Sequence, residues 1–205
     1  FHDLGLKDIG FGITASERNA NDMIVIYRVA KAMILEFATS TIHNSYYFLK
    51  DDNSYVDKEM VAGMFEIIAL ELLKTNRPKN WFRAYFNMGL ANKVSGGKRP
   101  LPCEVGTDVF FLDPFGDVMP CNGSDGPMIM GNLHDNTFDE IWNSPEAQEV
   151  RKQVANCLKQ CWMIGSAAPA MKKRLSVPIK WVFKNKLKVM KNKGNNVCLD
   201  PVLKE

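Results

Sequence analysis

Residues 103–121 read CEVGTDVFFLDPFGDVMPC, and this stretch decides how the chain divides. The runs DVFFL (108–112) and DVMPC (117–121) flank DPFG (113–116). Proline and glycine in a short break between apolar runs predict a β-hairpin. Cys103 stands before the hairpin and Cys121 closes it. Farther on, CLKQC (157–161) supplies Cys157 and Cys161. Four soft thiolates suit zinc or an iron–sulfur cluster. Either would organise a turn-rich segment that otherwise holds together poorly.

Downstream of the hairpin, GNLHDN (131–136) leads to a short helix at TFDEIW (137–142). Ser144 caps a second helix with Pro145 at its first position, and that helix carries the chain to Cys157. Cysteines four apart share a face of a helical turn, so Cys157 and Cys161 are expected to reach one site together.

Upstream, SGGKRP (95–100) is strong punctuation and the expected domain boundary. Before it, KDIGFGIT (7–14) and EFATSTI (36–42) read as buried strands. Between them Met23, Ile26, Tyr27, Ala30 and Ile34 recur at helical spacing, with Asn19, Asn21 or Asp22 as the cap. Strand, helix and strand within about 35 residues form a βαβ unit, which implies parallel strands. HNSYYFLKDDNS (43–54) is a polar loop. Helices follow over 58–74, with Met60, Met64, Ile67, Ile68 and Leu72 on one stripe, and from Pro78 to about Val94.

With 46% hydrophobic and 24% charged residues in 205, the chain has a globular composition. Its net charge of +3 is unevenly placed. Nine Lys and Arg and no acid fall within 171–199, so the remainder is net acidic. No signal peptide opens the chain, and no apolar run approaches the ~18–20 residues that span a bilayer. Five cysteines without an extracellular context point to a metal site in a reducing, cytoplasmic compartment.

Taken together, FLDPFGDVMPC (111–121), GNL (131–133), FDEIWNS (138–144) and CLKQC (157–161) resemble the C-terminal half of a radical S-adenosylmethionine (SAM) enzyme. The resemblance is to the kind that carries a SPASM/twitch-type auxiliary iron–sulfur domain. Cys, a spacer, Gly, four residues and Cys is that domain's pattern, which residues 103–121 fit. The fold it implies is α/β. Residues 1–98 would be the C-terminal portion of a partial (βα)6 TIM-like barrel with following helices. Residues 99–168 would be a small α+β cysteine-rich SPASM/twitch-like domain, and 169–205 a basic C-terminal extension. The family's catalytic CxxxCxxC motif is missing, since no cysteine precedes Cys103. With the helix-like opening FHDLGL, this implies a truncated and inactive piece. The fuller CxxCxxxxxCxxxC block is absent too, which favours one auxiliary cluster.

By resemblance, Cys103, Cys121, Cys157 and Cys161 are the expected ligands of an auxiliary [4Fe-4S] cluster. Structural zinc and unligated thiols are the alternatives. Four cysteine ligands leave no open position, so electron transfer or structural support is preferred over substrate ligation. Cys198, alone in NNVCLDP (195–201), is expected to be a spare thiol, against the late cysteine ligand that the resemblance allows. In GITASERN (12–19), Thr14, Ser16, Arg18 and Asn19 are candidates to hold SAM, against a plain helix-capping loop. His43 is a candidate substrate contact, against a satisfied loop histidine. Backbone around 40–42 would meet adenine. WFRAYF (81–86) and the methionines read as packing.

The intact protein is expected to cleave SAM reductively, with a second [4Fe-4S] cluster, and to abstract hydrogen from a peptide, sugar or small-molecule substrate. A flavodoxin or ferredoxin is the expected electron donor. The competing class is a non-catalytic zinc or iron–sulfur electron-transfer module. The basic, apolar segment 171–193 reads as a terminal helix docked on the body, against an anionic membrane surface or acidic partner. No motif points to specific nucleic-acid binding.

Overall fold

Inward-facing Phe37, Thr39 and Thr41 alternate with more exposed residues along β2 (Glu36–Thr41), the period-two signature of a strand. Its partner β1 (Gly10–Ala15) runs parallel to it, in a register that sets Gly10 opposite Glu36 and Ala15 opposite Thr41. The computed structural model describes residues 4–6, 9–192 and 197–202. The first residues of the strand expected at 7–14, and the helical opening expected at 1–3, lie outside them.

The described residues form two compact units, one drawn from 1–42, 55–100 and 175–205 and the other from 43–54 and 101–174. The fold is mixed α/β. In the first unit, β1 and β2 are joined through a 3-10 turn (Ala20–Asp22) and α1 (Met23–Ala32). No cap side chain bonds the start of the turn or of α1; Asn19 and Asp22 occupy those positions without capping. Asn19 braces the loop before it instead.

The helix also ends earlier than its apolar pattern suggests. Ile34, expected on the buried stripe, is 76% exposed and lies outside the helix with φ +59°. The Ile34 amide bonds the Lys31 carbonyl at 3.2 Å and the Leu35 amide bonds the Ala30 carbonyl at 2.8 Å. That pairing is a Schellman stop, built around a β-branched residue where glycine is usual.

Helices α2 (Lys58–Lys74) and α3 (Pro78–Val94) pack against each other. On α2 the buried line runs through Val61, Phe65, Ile68 and Leu72. The expected stripe is therefore rotated, with Ile67 exposed and Met60 and Met64 half-buried. Apolar residues almost surround α2, and neighbours on several sides choose among them. Within α3, buried Asn87 accepts from Thr39 Oγ1 of β2 at 2.9 Å.

Helix α7 (Ser176–Lys191) completes this unit by burying Trp181, Val182, Asn185 and Val189. Trp181 meets Tyr85 edge-on at 5.6 Å. Lys186 donates to the Leu73 and Thr75 carbonyls at 2.5 and 2.7 Å, where its charge opposes the negative end of α2. The 197–202 segment is fastened along α7: Asn185 accepts from the Asp200 amide, and Lys188 pairs with the Asp200 carboxylate at 2.7 Å.

The second unit has far less regular structure. Strands β3 (Phe111–Leu112), β4 (Asp117–Met119) and β5 (Gly131–Asn132) form an antiparallel sheet in that order. Gly116 turns the hairpin at φ +89°, and Asp113 accepts the amides of Phe115 and Asp117. Helices α4 (Phe138–Asn143) and α5 (Pro145–Ala155) follow. Ser144 Oγ accepts the Ala147 amide at 3.0 Å, as a cap should. Val118, Met130, Ile141, Ala147 and Val150 make the small core. A Cβ on Gly131 would come within 2.8 Å of Ile141, so glycine there lets β5 touch α4.

Helix α6 (Ile164–Lys173) ends the unit. The expected extension 169–205 is thus divided between the two units. Among the described residues no helix is long and apolar enough to cross a membrane.

Candidate metal centre

Three of the cysteines sit where a regular element has just stopped or is about to begin. Cys121 follows β4, Cys157 lies beyond the end of α5, and Cys161 precedes α6. Cys103 opens a turn in which the Gly106 amide bonds the Val109 carbonyl at 2.7 Å. Arg151 of α5 donates to the Gly106 carbonyl at 2.7 Å and stacks 4.6 Å over Trp142, fixing that turn to the helices. Beside Cys103, nearly buried Glu104 binds Lys173 at 2.8 Å and Arg174 at 2.5 Å at the end of α6. Burial works to raise the Glu104 pKa, but the two cations overcome it and hold the carboxyl below its ordinary range.

The loop after Cys121 is gripped from two sides. Ser45 donates to the Asn122 carbonyl, and the Tyr46 amide to the Ser124 carbonyl at 3.1 Å. From the other side, Lys159 of the 157–161 segment donates to the Gly123 carbonyl at 2.6 Å and pairs with Asp125 at 2.5 Å. Cys157 and Cys161 are not on a helical turn, as their spacing suggested. Helix α5 stops at Ala155, and the chain from Cys157 to Met163 is irregular. This tertiary tie to the Cys121 loop overrides the local helical option.

None of the five cysteines forms a disulfide; Cys103 and Cys157 are exposed, Cys121 and Cys161 half-buried. Burial pushes the Cys121 thiol up, against a hydrogen bond from the Gly123 amide. Cys161, Cys103 and Cys157 raise it further through their charges, so all three act on Cys121 within electrostatic reach. Among the described residues, no three His, Cys, Asp or Glu side chains are drawn together tightly enough to hold a single metal ion.

An all-thiolate set of this kind fits an iron–sulfur cluster, whose cationic core offsets the mutual repulsion of its ligands. Ser124 Oγ is buried without a hydrogen-bond partner, leaving a donor near Cys121 that a sulfur acceptor would satisfy.

The other candidates fall in separate places. At the carboxyl ends of β1 and β2, Thr14 and Ser40 share a 2.8 Å hydroxyl bond. Asn19 accepts from the Ser16 amide at 2.8 Å and donates to the Thr14 carbonyl at 3.1 Å, while Arg18 is exposed. Thr14, Ser16 and Asn19 are thus brought together.

Two residues there escaped sequence reasoning. Tyr55 receives the Ile42 amide at 3.1 Å and donates to the Ala15 carbonyl at 2.8 Å; burial pushes its hydroxyl up to about 12. Lys93 donates to Thr41 Oγ1 at 2.6 Å. Neither stands near these strands in sequence, so no motif flags them.

His43 belongs to the second unit, half-buried with its ring 5.8 Å from Phe48. Cys198 is exposed in the first unit and is not among the thiols acting on Cys121.

Residues 103–163 match the SPASM family, an iron–sulfur cluster-binding domain. No curated protein matches the chain. A solved structure, native anSMEcpe with bound AdoMet, is similar at 14% identity with a TM-score of 0.45. The alignment covers 92% of this chain but only 57% of that one. The match begins at Cys103, takes in Cys121, Cys157 and Cys161, and ends two residues past the last of them, so all four thiols lie within the segment that is similar to an iron–sulfur cluster-binding domain.

Proposed function

We propose that Cys103, Cys121, Cys157 and Cys161 hold one auxiliary [4Fe-4S] cluster, and that the chain is part of a radical SAM enzyme of the oxidoreductase or maturase type. The observation that carries the cluster assignment is that all four cysteines fall inside residues 103–163, which match an iron–sulfur cluster-binding domain. An all-thiolate set of four also suits structural zinc, which is the alternative that metal analysis separates from the cluster.

When bound, such a cluster supplies one-electron transfer. The protein's part is to hold the thiolates: the hairpin sets Cys121, the Glu104 network steadies the Cys103 turn, and Lys159 steadies the 157–161 segment. Four cysteine ligands leave no position for substrate, so the role is electron transfer or structural support.

The parallel β1–α1–β2 unit supports a partial (βα)6 barrel, in which ligands bind at the carboxyl ends of strands. Thr14, Ser16 and Asn19 are grouped there, and we assign them, with Arg18, to the SAM end of the site. His43 is assigned to substrate. A low-potential electron donor such as a flavodoxin or ferredoxin would complete the system.

Iron, sulfide and zinc analysis with electron paramagnetic resonance on anaerobically prepared protein tests the cluster. About four iron and four sulfide per chain, with a reduced [4Fe-4S] signal, is the expected result. One zinc without sulfide would overturn it in favour of a structural zinc module.

A further inference from the structure

Lys159 lies midway between Cys157 and Cys161, yet its side chain reaches the loop that follows Cys121. Its ammonium donates to the Gly123 carbonyl at 2.6 Å and meets Asp125 Oδ1 at 2.5 Å. Gly123 is the residue whose own amide bonds the Cys121 thiol. One side chain therefore ties together the two segments that carry three of the four cysteines.

The surroundings favour the charge as well as the tie. The Lys159 side chain is only 24% exposed, while its partner Asp125 is 83% exposed. Water screens the carboxylate on its outer side much more than it screens the ammonium on the side facing the protein. The ammonium is linked to the Cys121 thiol through one residue, since it binds the Gly123 carbonyl while the Gly123 amide bonds the sulfur.

We infer that Lys159 is a positioning residue of the centre: it locks the Cys121 loop to the 157–161 segment and sets the cluster's reduction potential with its charge. The inference rests on the cluster reading above. Reduction adds one electron to the cluster, breaks no protein bond and needs no proton. The negative charge so added is stabilised by a nearby cation, because cluster potentials follow net charge, hydrogen bonds to sulfur and solvent exposure.

The test compares wild type with Lys159→Met, Lys159→Arg and Asp125→Asn, each loaded anaerobically with iron and sulfide. Potentials come from titration with dithionite as the one-electron donor, and the rate of iron loss to a chelator is followed separately. Lys159→Met is expected to shift the potential to more negative values and to lose iron roughly tenfold faster, the lower end of the effect of removing an outer-shell partner. Lys159→Arg should restore the potential, and Asp125→Asn should move it in the positive direction.

An unchanged potential in Lys159→Met overturns the inference. If that variant retains no iron, the surface substitution Asp125→Asn decides: no shift there reduces Lys159 to a structural tie and also overturns it. A wild-type chain that takes up zinc or no metal removes the cluster reading, and this inference with it. A loaded wild type with indifferent variants defeats the inference alone.

Discussion

The two units hold themselves together by different means. In the first, long helices bury whole side chains: Phe65, Ile68, Leu73, Tyr85 and Leu90 are among the largest fully enclosed. In the second, which encloses Trp162, the sheet has strands of two and three residues, and the main apolar cluster has five buried members. Side chains bonding to carbonyls do much of the remaining work, as with Arg151 on Gly106, Ser45 on Asn122 and Lys159 on Gly123. A bonded backbone of this type contributes little net stability per bond, about 1 kcal/mol. The contrast teaches where a metal centre matters. The first unit is closed by hydrophobic burial, whereas the second is the one to which the proposed cluster would add most.

The hardest blow to that contrast is Cys121→Ala. Iron should be lost, and amide hydrogen exchange should accelerate across 101–165 while α2, α3 and α7 keep their protection. Unchanged metal content would sink the ligand assignment, and uniform exchange in both units would sink the contrast.

Trp181→Ala probes the other side. Removing a buried indole that packs on Tyr85 and donates to the Asp200 carbonyl should cost about 3–5 kcal/mol in denaturant unfolding of the first unit. Cluster content should not change; iron loss would mean that the units are not separable in stability.

Gly131→Ala is smaller. Its methyl meets Ile141 at 2.8 Å, and overpacking there should cost about 1–3 kcal/mol in the second unit alone. Thermal unfolding indistinguishable from wild type would contradict it. Ile34→Gly should act in the opposite direction, stabilising the first unit by about 1 kcal/mol through relief of the left-handed backbone.

Acid titration should produce the mildest effect. The Glu104 carboxyl is depressed in the folded protein, so its contribution is complete above the ordinary value of 4.5 and is lost as pH falls through the lower folded value. Glu104→Gln should lower stability near neutrality and flatten this acid limb. A variant that keeps the wild-type acid dependence would show the network to be inert. Water around half-exposed Lys173 and Arg174 keeps the effect modest.

Much of this was legible in the sequence where the cause is local. DPFG gives the hairpin because Pro, Gly and Asp113 carry the turn within four residues. Pro145 and Ser144 mark the start of α5 for the same reason. The four cysteines are conspicuous because thiols are scarce.

What was not legible depends on distant partners. The buried face of α2 shifted because apolar residues surround that helix and its neighbours, among them α1, the 3-10 turn before it, α3 and α7, select among them. Cys157 and Cys161 left the helical turn because Lys159 answers to Gly123. The Tyr46–Ser124 contact joins two backbones, and a backbone bond has no signature in side-chain type. Tyr55 and Lys93 reach the strand ends from helices and loops that carry no motif.

The bond from Ser45 to Asn122 also bears on modularity. The loop at 43–54 is encoded between β2 and α2, yet it folds with the cysteine-bearing unit. A gene segment cut at the apparent punctuation of 95–100 would leave that loop behind, and the carbonyls of Asn122 and Ser124 with it unpaired. The two units are interleaved along the polypeptide, so this domain cannot be shuffled between proteins as a single cassette. It must travel with its upstream neighbour.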